Sequence, residues 1–482
     1  MMLAALAASG AVYDVGPGRT YPGFDSLPAL EPGDVVEIYG NHTYPDLALW
    51  DSGGPSEPIV IRGIRVEGLR PVLSGGDTTL AVNANHYIIE GLDVTGGANR
   101  CVFHHGNDVT IRDTVVHDCP AHGILGADDD SGSLLLEYVE VYRCGEGTNR
   151  HQIYMATDEQ AFPGSVFRMQ HCYVHNGNGG NGVKSRAERN EIYYNWIEGS
   201  YYHELELIGP DGEPTETARE DSDVAGNVLF KKGDNAEFFV TRLGGDATGE
   251  TFGRYRFVNN TIITAAGGSA VFRLFDGIES VEMHNNVFFA PGGGGVQIIR
   301  DAEAVWLTGS AIIQGGNNWL PDGSTQVPTD WTGSVYGSDP VFADLDAPDL
   351  LPGGEASPLV DAGTASTDVG GAHAFPGPLP LPLYHPPQGA VEAAGTARAR
   401  PSDGTVDIGA FEHTAGTVAE ADAYDDAPVD AALEPAVDPA VDTDAPVEPA
   451  PDEDAAPERD ADGGNDIGGS ASTGGCGCSL VD

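Results

Sequence analysis

Positive charge is what this 482-residue chain has least of: Lys and Arg number 23 against 74 Asp and Glu, a net charge of −51. A surface so negative repels nucleic acid and anionic lipid, which excludes both as expected partners. Aromatic residues make up only 8% of the chain and cysteines number six, with no Cys-x-x-Cys pair among them. No run approaches the roughly 18 apolar residues of a bilayer crossing, so no membrane span is expected in the chain as given. Abundance lies elsewhere, in 66 Gly and 33 Pro. Both residues disfavour helix interiors, which argues against an all-helical protein. The glycines keep no every-third-residue period, and that excludes collagen. The length fits two or three ordinary domains or one long repetitive one.

The two ends differ from the body. Residues 1–11, MMLAALAASGA, form a short apolar stretch closing on small residues, like the core and cleavage site of a secretory signal, although a positive start is missing. An ordinary flexible terminus is the alternative. Residues 414–482 are rich in Asp, Glu, Pro and Ala, with Arg459 as the one basic residue, and carry 17 of the 51 excess negative charges. Such a segment buries too little apolar surface to offset its ordering entropy, so a disordered, self-repelling linker is expected. It runs into Gly474-Gly475-Cys476-Gly477-Cys478, which resembles the Gly-Cys sorting signal of myxobacterial surface proteins. The sequence as given stops at Asp482, before the apolar helix and basic end of such signals. A redox or metal pair is the other reading of the two cysteines. A secreted or outer-surface location is the expectation.

Between these ends one pattern recurs. Short β-rich runs with a central apolar residue alternate with Gly, Asn and Asp turns. The central positions are Val94, Val116, Val141, Val174, Ile197, Leu229, Ile262, Phe288 and Ile312, separated by 22, 25, 33, 23, 32, 33, 26 and 24 residues. A coil of some two dozen residues with loop insertions describes the series, as in solenoid proteins. Asn195, Asn227, Asn260 and Asn286 each stand two residues before such a position. Parallel strands stack equivalent residues about 4.8 Å apart, a spacing at which Asn amides form a ladder. Cys119 and Cys144 each follow their position by three, so they should also be stacked neighbours, as a disulfide or as a plain ladder step. Without helices between the runs, turns must join the strands. The expected fold class is all-β, a parallel β-helix.

The coil spacing and Asn ladder resemble the right-handed parallel β-helix proteins of the pectate-lyase-like superfamily. Glu31-Pro32-Gly33-Asp34-Val35-Val36 and Pro58-Ile59-Val60-Ile61-Arg62-Gly63 are similar to the first coils of that family. Ser357-Pro358-Leu359-Val360-Asp361-Ala362-Gly363 and Asp407-Ile408-Gly409-Ala410-Phe411-Glu412 match its closing segments. The resemblance covers residues 12–413, divided into first coils and cap (12–86), regular coils (87–319) and irregular final coils or cap (320–413).

A second run follows each central position by 9 to 13 residues. On it stand Tyr154, Lys184, Glu206, Arg242 and Arg273, with apolar Ile153, Val183 and Leu205 alternating beside the first three. Period-two alternation sends the apolar set inward, so Tyr154, Lys184 and Glu206 should share an outward file, with the two arginines on later coils. A long flat face of this kind suits a linear polysaccharide. Gly182-Val183-Lys184-Ser185 with Ile192-Tyr193-Tyr194-Asn195 resembles the catalytic stretch of alginate-lyase and chondroitinase-B-type lyases. The resemblance implies Lys184 as the base of a β-elimination and a calcium ion masking the substrate carboxylate. The family's arginine is absent where this chain reads Leu205-Glu206-Leu207-Ile208-Gly209, and its calcium glutamates are replaced by Asn176-Gly177-Asn178-Gly179-Gly180. Arg186, Arg242 or His203 could take the acid's place. Glu204, Glu206, Asp221 and Asp223 could bind the cation, since hard cations favour carboxylates. Tyr154, Glu206 and Arg273 are the expected substrate contacts. A carboxylate beside Lys184 would raise the lysine pKa and so oppose its use as a base.

Three other readings compete. Lys184 and Glu206 could be a cross-coil ion pair on an exposed sheet, worth about 0.2–1 kcal/mol and without function. Glu206 with Asp221 or Asp223 could be the carboxyl pair of a glycoside hydrolase. A displayed, non-catalytic solenoid could bind glycans or act as an adhesin, a reading favoured by the net −34 left on the body and offset only by the cluster Lys184, Arg186 and Arg189. His104, His105, His117, His122, His151, His171 and His175 read as turn and ladder residues, with metal binding as the alternative. A monomer is expected.

Overall fold

The computed structural model describes residues 10–209, 219–232, 239–245, 252–265, 270–275, 278–300, 312–347, 349–367, 381–402 and 404–413. The signal-like start up to residue 9 and the acidic tail from residue 414, with its Gly-Cys end, lie outside the described residues.

Three long sheets dominate, two of 12 strands and one of 10, each built by neighbours a full coil apart in sequence. We call them A, B and C in the order the chain visits them. One coil shows the scheme: Val109–Arg112 joins sheet A, Val115–His117 sheet B and His122–Gly126 sheet C. Pairing within these sheets is parallel throughout, as in the register Val109 to Leu134, Val116 to Val141 and Ile124 to Ile153. Parallel crossovers in one sheet are right-handed in nearly all proteins. The fold is the right-handed parallel β-helix expected from the spacing. Among the described residues the one helical element is a short 3-10 turn at Phe24–Ser26.

Eight of the nine central positions form one file inside sheet B, from Val94 to Phe288, and all eight are buried. The ninth is corrected. Ile312 pairs with Ser280 on sheet A, and sheet B continues at Trp319–Pro321. A short apolar run does not say which of three sheets it serves. Each coil has three strands, not the two that the sequence suggests, because sheet A strands such as Arg189–Tyr193 and Arg219–Ala225 are too polar to stand out.

The corner from A to B is built from left-handed backbone. Tyr138, His171, Tyr194, Asn259, Asn285 and Asn317 all have φ between 49° and 58°, and Gly226, at φ 69°, takes the same place in its coil. The next residue turns inward, and there the Asn ladder runs. Asn195 Nδ2 donates to Asn227 Oδ1 at 3.0 Å, Asn227 to Asn260 at 3.0 Å, and Asn260 to Asn286 at 2.9 Å. Asn318 extends the ladder by one step, at 3.1 Å. Every rung also receives a backbone N–H from the coil before it, so these fully buried amides are satisfied where a lost partner would cost about 1–3 kcal/mol.

Cys119 and Cys144 are stacked neighbours as expected, but of the two readings the disulfide between them fails. Cys119 is joined to Cys101, with their Cα atoms 5.8 Å apart. Cys144 stays a buried thiol whose Sγ donates to the carbonyl of Tyr142. Stacking does bring Cys144 one coil from Cys119, but Cys101, at the head of its sheet C strand, also faces that corner.

Residues after the last coil do more than end the solenoid. Leu350, Leu359, Ile408, Ala410 and Phe411 pack with Trp196, Val228, Ile263, Val287 and Trp319 on the outer side of sheet B, forming a second core. The left-handed corner residues fasten this strap. Asn259 Nδ2 donates to the Asp407 carbonyl at 2.8 Å, Asn285 Nδ2 to Thr364 O at 2.9 Å, and Tyr194 Oη accepts the Leu383 N–H. Buried Arg400 bridges Glu412 at 2.7 Å and the carbonyls of Asp407 and Gly409, which accounts for the closing Asp407-to-Glu412 motif.

Candidate functional site

Sheet C carries the candidate site. Its parallel register places Tyr154 opposite Lys184, Lys184 opposite Glu206, Glu206 opposite Arg242 and Arg242 opposite Arg273. Ile153, Val183 and Leu205 beside them are buried in the solenoid. The five expected residues therefore form one file on five successive coils.

The file is not an exposed ion-pair surface, however. Lys184 is 3% exposed, Glu206 2%, Arg242 8% and Arg273 9%, while Tyr154 is half-buried. Arg186 donates to the Gly209 carbonyl at 3.2 Å and Arg242 to the Gly245 carbonyl at 2.8 Å. The guanidinium groups of Arg242 and Arg273 lie 4.7 and 4.4 Å from the Phe275 ring. Alternation along a strand says which side chains point outward, not what later covers them.

Within the file, Glu206 pairs with Arg242 at 2.8 Å and accepts a hydrogen bond from Asn181 Nδ2. Burial alone would push this carboxyl up, but Arg242, then Lys184, His203 and Arg186, hold it below the ordinary value. The Lys184 ammonium stands 4.8 Å from the Tyr154 ring, and Arg186 Nε donates to the Tyr154 hydroxyl at 2.9 Å. Arg186 shares the outward face two residues along from Lys184. The arrangement can hold an anion against guanidinium groups and offers an amine and a phenol for proton transfer.

A second ladder flanks the file at the corner from B to C. The N–H of His151 donates to His122 Nδ1 at 3.2 Å, that of Asn181 to His151 Nδ1 at 2.9 Å, and that of His203 to Asn181 Oδ1 at 2.9 Å. Accepting at Nδ1 leaves the proton of a neutral His151 ring on Nε2. Burial, then nearby Lys184, keeps that ring well below its usual pKa, and the ring stands edge-on to Tyr154 at 5.4 Å. Burial also lowers His203 to about 4, and its Nδ1–H donates to Phe239 O at 2.8 Å. His203 is thus a ladder residue beside the file. The signal for this ladder was present: His122, His151, Asn181 and His203 precede Ile124, Ile153, Val183 and Leu205 by two, the offset that marks the Asn ladder.

The carboxylates expected to bind a cation are not brought together. Glu204 is buried against Lys231 at 3.2 Å, and burial pushes its carboxyl up to about 7 despite that partner. Asp221 and Asp223 belong to sheet A. Asp221 accepts from Arg254 Nε at 3.0 Å, and Asp223 from Arg256 at 2.7 Å and Arg189 at 3.1 Å. Among the described residues no three His, Cys, Asp or Glu side chains are grouped to hold a metal ion. Among the described residues no set fitting calcium is therefore grouped, and Glu206 stands on sheet C while Asp221 and Asp223 stand on sheet A, so the pair needed for hydrolysis is not assembled. Arg189 likewise leaves the expected basic cluster for sheet A. Of the other histidines, His117 and His175 are held by Asp93 and Glu140, and His104 by the Gly132 carbonyl.

No family model and no curated protein matches the chain. Solved structures do match. Pectate lyase Pel9A is 13% identical, aligned over 84% of this chain and 97% of its own, with a TM-score of 0.41. The alginate lyase from Paenibacillus sp. str. FPU-7 is 19% identical over 55% of this chain and 91% of its own, at 0.36. XylC with xylose is 9% identical over 68% and 86%, at 0.42. What the strands themselves establish is the common ground: this chain is a parallel β-helix.

Proposed function

We propose that the chain acts on polysaccharide through the sheet C file, as a lyase cleaving uronate-containing glycans by β-elimination. The observation that carries this reading is the alignment of Tyr154, Lys184, Glu206, Arg242 and Arg273 on five consecutive coils. The file runs along the axis, the direction in which a linear chain would lie, with Tyr154 half-buried and Lys184, Glu206, Arg242 and Arg273 buried. In a protein of strongly negative net charge, Lys184, Arg186, Arg242 and Arg273 gather on this one face, which favours an anionic substrate there over the rest of the surface.

In the proposed reaction the Lys184 amine takes the proton from the carbon next to the uronate carboxylate. The released electron pair forms a carbon–carbon double bond as the neighbouring carbon–oxygen bond to the leaving sugar breaks. The departing oxygen takes a proton from the Tyr154 hydroxyl, and Arg186, already hydrogen-bonded to that hydroxyl, stabilises the phenolate. Arg242 and Arg273 hold the carboxylate. Glu206 stands opposite Lys184 and is also engaged by Arg242. No step is assigned to calcium.

Incubation with a panel of uronate polymers tests the reading. Unsaturated products detected by ultraviolet absorbance support it, whereas new reducing ends without absorbance mean hydrolysis, and saturable binding without turnover means a binder. Lys184→Ala, with Lys184→Gln as a less disruptive companion, should lower kcat at least 100-fold, the scale of a lost general base. Elimination that survives both variants removes Lys184 from the role.

A further inference from the structure

We propose a second sugar-binding position at the other end of the same face, around Trp50, selective for a neutral sugar. The proposal rests on the polysaccharide reading of the sheet C file. Register carries that file backwards from Tyr154 through Leu125, Phe103 and Ala81 to Ala48. These positions are half-buried or exposed, in contrast to the covered residues from Lys184 onward. The face therefore begins open and apolar and ends covered and ionic.

Trp50 follows Ala48 by two and shares its outward side. It is 73% exposed, whereas Trp196 and Trp319 are fully buried. Beside it lies a cavity of about 270 Å³, lined by Phe24, Asp25, Leu27, Leu30 and Asp46. Asp51 keeps the wall in place, accepting the Leu30 N–H at 2.8 Å through its carboxylate and the Tyr87 hydroxyl through its carbonyl. An indole presenting its surface to water beside hydrogen-bond acceptors matches a sugar ring, whose C–H face is apolar and whose rim carries hydroxyl donors. The occupant is a neutral sugar, because the aspartates that accept hydroxyl hydrogens repel a uronate. Four strand steps of about 4.8 Å separate Ala48 from Tyr154, roughly 19 Å along the axis. A polymer bound at both places would carry neutral sugars at a distance of several units from the uronate being cleaved.

Tryptophan fluorescence titrated with neutral hexasaccharides of glucose, galactose, mannose or xylose tests this position without catalysis. At least one of the four should bind the wild type and Lys184→Ala with equal Kd, and Trp50→Ala should weaken that binding tenfold or more. Because Trp50 is exposed, its replacement should leave the melting temperature unchanged. Equal binding by Trp50→Ala, or no binding by the wild type to any of the four, overturns the proposal. Elimination of uronate polymers, followed separately, reports on the Lys184 end, so failure at one end is not failure at the other.

Discussion

Sheets A and C carry comparable outward files of charged residues, and the two are assembled differently. On sheet A, Arg168, Glu191, Asp223, Arg256 and Glu282 stand in register. Opposite charges meet there at 2.7–3.1 Å, as in Arg256 with Asp223 and Arg189 with both Glu191 and Asp223. On sheet C the file sets Arg242 directly opposite Arg273, both against Phe275. Like charges in that relation oppose sheet formation. Two buried ionic files thus arise from one solenoid geometry. On sheet A the one like-charge step, Glu191 opposite Asp223, is bridged by Arg189, whereas sheet C concentrates cations beside a tyrosine and a lysine, as an anion-handling site should.

The comparison can be broken at either file. Removing Arg256 from the buried sheet A ladder leaves Asp223 its 3.1 Å contact with Arg189, so Arg256→Ala should cost about 3 kcal/mol in urea unfolding, the low end for a broken buried pair. A second buried carboxylate of that region, Glu220, has only neutral partners, Asn190, Ser222 and Tyr255, and burial pushes it from 4.5 to about 8. The native state holds this proton more tightly than the unfolded chain. Its contribution is therefore complete below about pH 4.5 and is lost as pH rises through about 8. The unfolding free energy of the wild type should fall across that window by a few kcal/mol, and Glu220→Gln should flatten the fall. Reducing the Cys101–Cys119 disulfide, which closes a short loop outside both files, should cost about 3 kcal/mol and expose two new thiols. Smallest is Arg273→Ala, which removes one of the two guanidinium groups beside Phe275 and should weaken uronate binding in a titration with the polymer.

Much of this was legible in the amino-acid order. Sheet B shows itself because its apolar residues recur every two dozen positions, and the Asn ladder because its offset from them is constant. Alternation placed Tyr154, Lys184 and Glu206 in one sheet C file, and the register of the strands adds the two arginines, which alternation did not fix. Sheet A stayed hidden, since strands such as Arg189–Tyr193 and Arg219–Ala225 hold charged residues that look like loop. Asp221 and Asp223 resembled cation ligands for the same reason: their arginines stand 33 residues later, on the next coil. Burial of Lys184 is not set by the outward or inward sense of its strand position, and the pairing of Cys119 depends on a neighbour in a different sheet. Neither relation is written in a local period.

The decisive measurement is a paired one: product formation per folded molecule, and unfolding free energy, for Lys184→Gln and Arg256→Ala on a uronate polymer that the wild type cleaves. The account predicts that the sheet C variant keeps its fold and forms no unsaturated product, while the sheet A variant is strongly destabilised yet active when folded. An active Lys184→Gln protein, or equal loss of activity per folded molecule in both variants, would contradict it.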